Sequence, residues 1–379
     1  MSVITETTDL PSFAPGTRHQ LITHRFKGGK NSRSAYIQAG VHADEHPGLL
    51  VIQHLLERLQ ELDSAGQMLG EVVICPFANP VGLGQNIFGY VTGRFNLANG
   101  ENFNRNFPDI SPAVEELIAK NSDSAAHFTS SEVKKIFEQM LALIPAIDTV
   151  TTNKKLLLKE AFRHDIVLDL HCDTSAALHL YSTLHQQERA VLLAGCMGID
   201  TVFLEEQAGG QPFDEAFGKP WKLLTQAGLA NPQDCGFSTS IELRGQADVN
   251  DEVARADAEG ILQFLAHEGL LTLTPPLAEL ANVEVYPLEG ASHLQAPAMG
   301  LLVWKKQLGQ SVSLGELIAE IVPIDAVLGT PRVPVFSDVD GKIIVQPLFK
   351  LVRTGQRVAL LAGKTPLTHR KTGQLLQHF

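Results

Sequence analysis

No segment of this chain is apolar over the roughly 20 residues that a membrane-spanning helix requires. The first thirty residues hold no extended apolar run. Met1 to Gly16 is polar and interrupted by Pro11 and Pro15, so neither a secretory signal nor a membrane anchor is expected. Cysteine is scarce as well. Cys75, Cys172, Cys196 and Cys235 lie far apart and form no Cys-x-x-Cys pair, which favours reduced thiols in a cytoplasmic protein over a disulfide framework. Positive charge is also short: 30 Lys and Arg face 42 Asp and Glu, a net charge of −12 that opposes binding to nucleic acid or an anionic membrane. An acidic small substrate would therefore need a local basic pocket.

Apolar residues are not lacking. The 379 residues are 44% hydrophobic, enough for a large core and, at the usual size, roughly two to three domains. Periodicity alternates along the chain, strand-like over 34–41 and 71–77, helical over 48–62, 130–143 and 150–163, then strand-like over 165–171, 177–182, 200–205 and 236–243. Such alternation describes an α/β domain. Residues 109–164 read as an extended insertion with polar Asn121-Ser122-Asp123-Ser124, placed either to overhang a site as a lid or to bracket the surface. A closing helix over 248–267 carries Val249, Val253, Ala256, Ile261, Phe264 and Leu265 as an imperfect apolar stripe, and Pro275-Pro276 marks a boundary. The expected division is 1–280 and 281–379.

From about Val283 the pattern turns to short β-prone runs between Gly and Pro. Gly300-Leu301-Leu302-Val303 through Leu314-Gly315-Glu316-Leu317-Ile318-Ala319 is echoed by Gly341-Lys342-Ile343-Ile344 through Thr354-Gly355-Gln356-Arg357-Val358-Ala359. This near-repeat predicts a small pseudo-symmetric β barrel-sandwich, whose exposed edges leave a homo-oligomer open.

The chemistry concentrates in four places. Gly40-Val41-His42-Ala43-Asp44-Glu45-His46-Pro47-Gly48 sits where an apolar strand hands over to a helix, with Pro47 suited to the first turn. An imidazole and a carboxylate at this spacing can bind Zn²⁺ at roughly 2.0–2.2 Å, leaving room for a third ligand and a water. Ile166-Val167-Leu168-Asp169-Leu170 is the apolar run of a buried parallel strand, and it delivers His171 to the strand's C-terminal edge, where open α/β sheets place ligands. Asp169 or Asp173, on the same strand face, would accept the second ring N–H of His171, while Cys172 faces away as packing.

In the third place, Arg105 offers a planar fork for a carboxylate and Asn104 a further donor, with Arg94 upstream after Gly93. In the fourth, Phe237 to Gly245, alternation puts Ser238, Ser240 and Glu242 on one face. Glutamate is depleted in strands, and a metal-bound water would give Glu242 a reason to be there. Arg244 shares that face, where it contacts substrate or pairs with Glu242. Arg94, Arg105 and Arg244 are placed to form the basic pocket.

In this order, His-x-x-Glu, Asn-Arg, His and Glu, the chain resembles the zinc carboxypeptidase superfamily and more closely its succinylglutamate desuccinylase/aspartoacylase branch, over residues 34 to 245. The resemblance implies an αβα sandwich with a mixed central sheet. It also implies one Zn²⁺ per chain held by His42, Glu45 and His171, a substrate carboxylate gripped by Asn104 and Arg105, Glu242 as general base, and Arg94 stabilising the oxyanion. The C-terminal region resembles the lipoyl/biotinyl-type fold of some relatives. No Lys lies from Ser311 to Val339, where a carrier lysine would be expected, so neither lipoylation nor biotinylation is expected. The implied activity is hydrolysis of the amide bond of an N-acyl amino acid or related small carboxylate. A metallocarboxypeptidase acting on peptide C-termini would use the same parts. A non-catalytic zinc-binding protein is a third reading, against which the spare Glu242 argues, because purely structural zinc sites close with a fourth protein ligand.

Overall fold

The computed structural model describes residues 3–121, 127–274 and 279–376. Ser122, Asp123, Ser124, Pro275 and Pro276 lie outside the described residues. β1 (Ile4–Asp9) and β2 (Gln20–Phe26) form a hairpin, β3 (Ser34–Ala39) leads to α1 (Pro47–Ser64) and β4 (Glu71–Cys75), and α2 (Pro80–Leu83) precedes the short strands β5 (Asn86–Ile87) and β6 (Tyr90–Val91). Helices α3 (Ser111–Lys120), α4 (Ser130–Leu143) and α5 (Thr149–Ala161) come before β7 (Ile166–Asp173) and β8 (His179–Thr183). Then follow α6 (Gln187–Met197), β9 (Thr201–Glu205), α7 (Phe213–Gln226), β10 (Phe237–Gly245), α8 (Asp251–His267) and β11 (Glu284–Pro287).

Nine of these strands form one mixed sheet in the order β1-β2-β4-β3-β7-β10-β8-β9-β11. Its centre, β4-β3-β7-β10, is parallel, and β2 and β8 run against those central neighbours. Alternation of side chains explains why both faces are covered. Ala35, Ile37, Ile166 and Leu168 point to the side packed by Leu55 of α1, Leu193 of α6 and Phe264 of α8, whereas Tyr36 and Val167 point to the side packed by Val114, Phe137, Leu158 and Phe217. The result is the αβα sandwich that the family resemblance implied.

The 109–164 segment is neither lid nor surface bracket. Its described residues form three helices that, together with α7, cover one side of the sheet, fixed by Val114, Val133, Phe137, Leu141, Leu157 and Leu158. Helices α4 and α5 begin with reciprocal capping boxes, Thr129 with Glu132 and Asp148 with Thr151, which sharpen their starts. Helix α7 was not anticipated because Gly218 and Pro220 sit inside it.

The remaining chain adds β12 (Ala291–Gln295), β13 (Gly300–Trp304), β14 (Ser311–Val312), β15 (Leu317–Val322), β16 (Val333–Phe336), β17 (Gly341–Val345), β18 (Leu351–Val352) and β19 (Arg357–Gly363). They form two four-stranded sheets, β12-β19-β17-β14 and β16-β15-β13-β18. Each repeat places its two long strands in one sheet and lends its short strand to the other, so β14 pairs with β17 and β18 with β13. This small unit is fastened to the large one. Its Ile344, Val345 and Leu360 pack with Phe203 and Tyr286, and the backbone of Ala177 and Gln346 bonds Ile344 and Ser175 at 2.8 and 2.9 Å.

Phe217 is fully buried and stacks on Phe162 at a centroid distance of 5.7 Å. Truncation by Phe217→Ala is expected to cost about 3–5 kcal/mol through lost burial and the cavity left behind. A guanidinium denaturation midpoint unchanged from wild type would show that this helical layer is not integral to the core.

Candidate metal centre and active site

Gly40 takes φ +73 at the end of β3, a left-handed turn that a side chain would oppose, and the chain swings through the loop carrying His42 and Glu45 into α1. β7 lies beside β3 in parallel register, with Ala39 opposite Leu170, so His171 arrives next to that loop. The three side chains are buried and their ligand atoms all fall within 4.8 Å of one another. Nδ1 of His42 is 2.9 Å from Glu45 Oε1, and Nδ1 of His171 is 2.8 Å from Glu45 Oε2. On the far side of each ring, Nε2 of His42 meets Asn102 Oδ1 at 2.7 Å and Nε2 of His171 meets Asp169 Oδ2 at 2.7 Å.

This geometry tests whether a metal fits. Both Nε2 atoms face oxygen acceptors and so carry their protons there, which turns the Nδ1 lone pairs toward a carboxylate. Lone pairs facing a carboxylate at such distances need a positive charge between them, either a proton on each ring or one divalent cation. Burial, followed by the Arg94 guanidinium, lowers the pKa of His42, which disfavours a proton there. For His171, burial opposes protonation but Asp169 and Glu45 outweigh it and hold the ring well above the usual histidine range. Two imidazole nitrogens and one carboxylate, with ligand atoms within 4.8 Å of one another, are nevertheless a donor set that fits a divalent metal.

Behind the rings runs a buried chain of hydrogen bonds. Tyr36 donates its hydroxyl to Gln38 Oε1 at 3.0 Å, and Gln38 donates Nε2–H to Asp169 Oδ1 at 3.0 Å. Of the two aspartates left open by the sequence, Asp169 is the partner of His171. Asp173 instead accepts from Arg357 of the β unit, at 3.0 Å to each oxygen.

Glu242 stands opposite His171 in the β7–β10 pairing and lines the same cavity, about 360 Å³ in volume. Its Oε2 is buried without a hydrogen-bond partner. Burial, reinforced by Glu45, pushes this carboxyl up to about 8. A dication beside it would pull that value back toward the ordinary carboxylate range. Arg94 places Nη1 at 2.9 Å from Glu45 Oε1 and 3.4 Å from His42 Nδ1. Its neighbour Gly93 is pressed on the ligand loop, since a Cβ there would fall 2.5 Å from the Asp44 nitrogen.

Arg105 and Asn104 also line the cavity. Arg105 donates Nη1–H to the Asn104 carbonyl at 2.7 Å, and burial, followed by Arg94, lowers its guanidinium to about 10. Asn104 accepts the Phe213 N–H at 2.9 Å through its Oδ1. Their loop is pinned from α5 by Lys154, whose buried ammonium donates to Glu101 Oε1 and the Arg105 carbonyl, both at 2.8 Å. Asn102, Gln38 and Lys154 escaped the sequence reading. Asn102 belongs to the same Asn-rich loop as Asn104 and carried that signal; a lysine in a helix carries none.

Arg244 is corrected. The strand register shifts between Glu242 and Gly245, and φ +66 at Arg244 breaks the alternation that put it beside Glu242. The side chain turns to Asp257 of α8, with Nη1 and Nη2 at 2.8 and 3.1 Å from its oxygens. The arginines lining the cavity are Arg94, Arg105 and Arg357. Cys172 lies in the wall with its thiol pushed well above the ordinary range by burial and then Glu45, so it stays protonated.

Fold and cavity together define an αβα sandwich of the α/β class with a candidate site at the carboxyl edge of the parallel strands. More narrowly, the chain belongs to the succinylglutamate desuccinylase/aspartoacylase family, whose catalytic domain matches residues 31–268. It is similar to an N-alpha-acetyl-L-2,4-diaminobutyric acid deacetylase of Halomonas elongata, 24% identical over 338 residues that cover 87% of this chain and 82% of the relative. Among solved structures, a succinylglutamate desuccinylase/aspartoacylase family protein from Shewanella amazonensis superposes with a TM-score of 0.83 at 25% identity, over 96% of this chain and 100% of the other. The product-bound ectoine utilization protein EutE (DoeB) of Ruegeria pomeroyi shares the fold, with a TM-score of 0.67 at 16% identity over 95% of each chain.

Asp169→Asn keeps the shape but removes the charge that orients His171. Metal affinity, read by competition with a chromogenic chelator, is expected to fall about 10–100-fold. Unaltered affinity would mean that Asp169 does not position the ring.

Proposed function

We propose that this protein is a zinc-dependent amidohydrolase that deacylates an N-acyl amino acid or a related small carboxylate in the cytoplasm. The observation that carries the reading is the convergence in one cavity of His42, Glu45 and His171 with the partnerless carboxyl of Glu242. Zinc bound by the two Nδ1 atoms and the Glu45 carboxylate would polarise the amide carbonyl and bring a water's pKa to roughly 7. Glu242 takes the proton of the attacking water on its unengaged Oε2 and returns it to the leaving amine nitrogen. Arg94, aimed at the same space, stabilises the oxygen that gains charge, a contribution on the order of 3–4 kcal/mol for a well-placed donor. Arg105, with Asn104 behind it, holds the substrate carboxylate.

A small substrate suits the cavity better than a peptide. Leu288, His293 and Arg357 of the C-terminal region close one wall of it, so a long chain has less room to lie across. The similarity to a deacetylase points the same way. A carboxypeptidase acting on peptide C-termini remains the second reading, because Arg105 and Glu242 would serve it equally.

Wild type and Glu242→Gln are expected to bind one zinc each by elemental analysis, with N-acyl amino acid hydrolysis reduced roughly 10²–10⁴-fold in the variant. Peptide turnover without deacylation would overturn the deacylase reading in favour of the carboxypeptidase. Arg105→Lys keeps the charge but loses the bidentate fork, and is expected to raise KM roughly tenfold with kcat nearly unchanged, a loss of about 1.4 kcal/mol in uniform binding. An equal fall in kcat would place Arg105 in the chemical step instead.

A further inference from the structure

Beside β10 in the cavity wall runs β8, antiparallel to it, with Tyr181 opposite Ser240 and His179 opposite Glu242. Directly opposed residues of an antiparallel pair share a sheet face, so Tyr181 stands on the face of Glu242 as its diagonal neighbour. Diagonal neighbours lie roughly 7–8 Å apart, within reach of a tyrosine ring. Tyr181, Ser240 and Glu242 all line the cavity. The Tyr181 ring is held in place. It stacks on the buried Phe203 at a centroid distance of 5.3 Å and meets the His179 ring edge-on at 5.2 Å.

A short chain of hydrogen bonds fixes where the Tyr181 hydroxyl proton points. Nδ1 of His179 lies 2.8 Å from the Ala177 carbonyl, which can only accept, so that nitrogen carries the ring proton. His179 is fully buried, and burial pushes its pKa down to about 4, so at neutral pH the ring holds a single proton. Its Nε2 is then a lone pair, and the Tyr181 hydroxyl at 3.2 Å donates to it. Burial, then Glu242, holds the Tyr181 pKa well above the ordinary range, which keeps that proton in place. With its donor spent on His179, the Tyr181 oxygen presents lone pairs to the cavity. Ala177 itself is clamped by the β unit, whose Ile344 carbonyl accepts its N–H at 2.8 Å.

Resting on the deacylase reading above, we propose that the Tyr181 oxygen accepts the N–H of the scissile amide and so aims the nitrogen at Glu242. An N-acyl amino acid brings acceptors at its carboxylate and carbonyl, which Arg105 and Arg94 serve, and one donor at the reacting amide, its N–H. Drawn out of water without an acceptor, that N–H would weaken binding. Once water has added to the carbonyl carbon, the nitrogen turns tetrahedral and gains a lone pair. Holding its N–H on Tyr181 leaves that lone pair toward Glu242, which delivers the proton it took from the water; the carbon–nitrogen bond then breaks and the neutral amine departs. An acceptor suits this task better than a donor, because a hydroxyl proton aimed at the nitrogen would compete for the same lone pair.

The test sets amides against esters that lack the N–H. The probes are the N-acetyl and N-succinyl derivatives of L-alanine and L-glutamate, each beside the O-acyl ester of the matching α-hydroxy acid, L-lactate or L-2-hydroxyglutarate. With zinc-loaded protein, Tyr181→Phe is expected to lower kcat/KM roughly 10–100-fold on the amides that wild type hydrolyses, and by no more than about threefold on their esters. The phenyl ring keeps the stack on Phe203, so the guanidinium denaturation midpoint is expected to stay at the wild-type value. In Glu242→Gln, which keeps Tyr181, calorimetric titration is expected to show each such amide binding at least about fivefold more tightly than its ester.

Equal losses on amide and ester in Tyr181→Phe, or no loss on either, would overturn the contact and leave the deacylase standing. So would amide and ester binding alike in Glu242→Gln. Amide-selective binding to Glu242→Gln that adding Tyr181→Phe abolishes, with no hydrolysis of any probe by wild type, would keep the contact and overturn deacylation. Absence of both binding and turnover, or turnover of esters alone, would overturn both.

Discussion

Everything at this site depends on one buried carboxylate. Glu45 stands between two imidazoles with one oxygen on each Nδ1, and it also accepts from Arg94 and from the Cys172 backbone N–H at 3.1 Å. Burial alone would raise its pKa, but His42 and His171 reverse this and hold it well below the ordinary range. A charge kept ionised in a dry interior must be surrounded by positive charge and donors. The elements that supply them are the ones that shape the fold: the β3–α1 loop, the edge of β7 and the loop at Arg94.

The layers around this carboxylate divide the work. One helical layer covers the sheet and reaches the site through Lys154, which holds the Arg105 loop by its own backbone carbonyl. On the other side of the cavity the small β unit contributes a wall and Arg357, which neutralises Asp173. That pairing leaves Asp169 alone to orient His171. The β unit therefore shapes which charges are available to a substrate, though it holds none of the metal ligands proposed for this protein.

Much of this was legible in the sequence, unevenly. The strands β3, β4, β7 and β10 and the helices α1, α4 and α5 were readable because apolar spacing and caps agree there. Helices α3, α6 and α7 were not, and α7 carries Gly218 and Pro220 where a helix signal is read. The hairpin β1–β2 was silent because β1 is exposed along its whole length and so lacks an apolar face. That His42, Glu45, His171 and Glu242 line one cavity was legible from residue type, from position at strand ends and from the family resemblance. Asn102, Gln38 and Lys154 act through contacts with residues distant in sequence, and spacing does not encode those.

The sequence by itself determined the alternation of strands and helices, the near-repeat of the β unit, and which residue types stand at the carboxyl ends of the strands. These follow from local periodicity and composition, which each segment carries alone. Tertiary structure decided the rest. A bulge with φ +66 sent Arg244 to Asp257, parallel register brought His171 to Glu45, and the docking of a second unit gave Asp173 to Arg357. Each is a choice among partners of similar chemistry, and that choice is made by proximity in the folded chain.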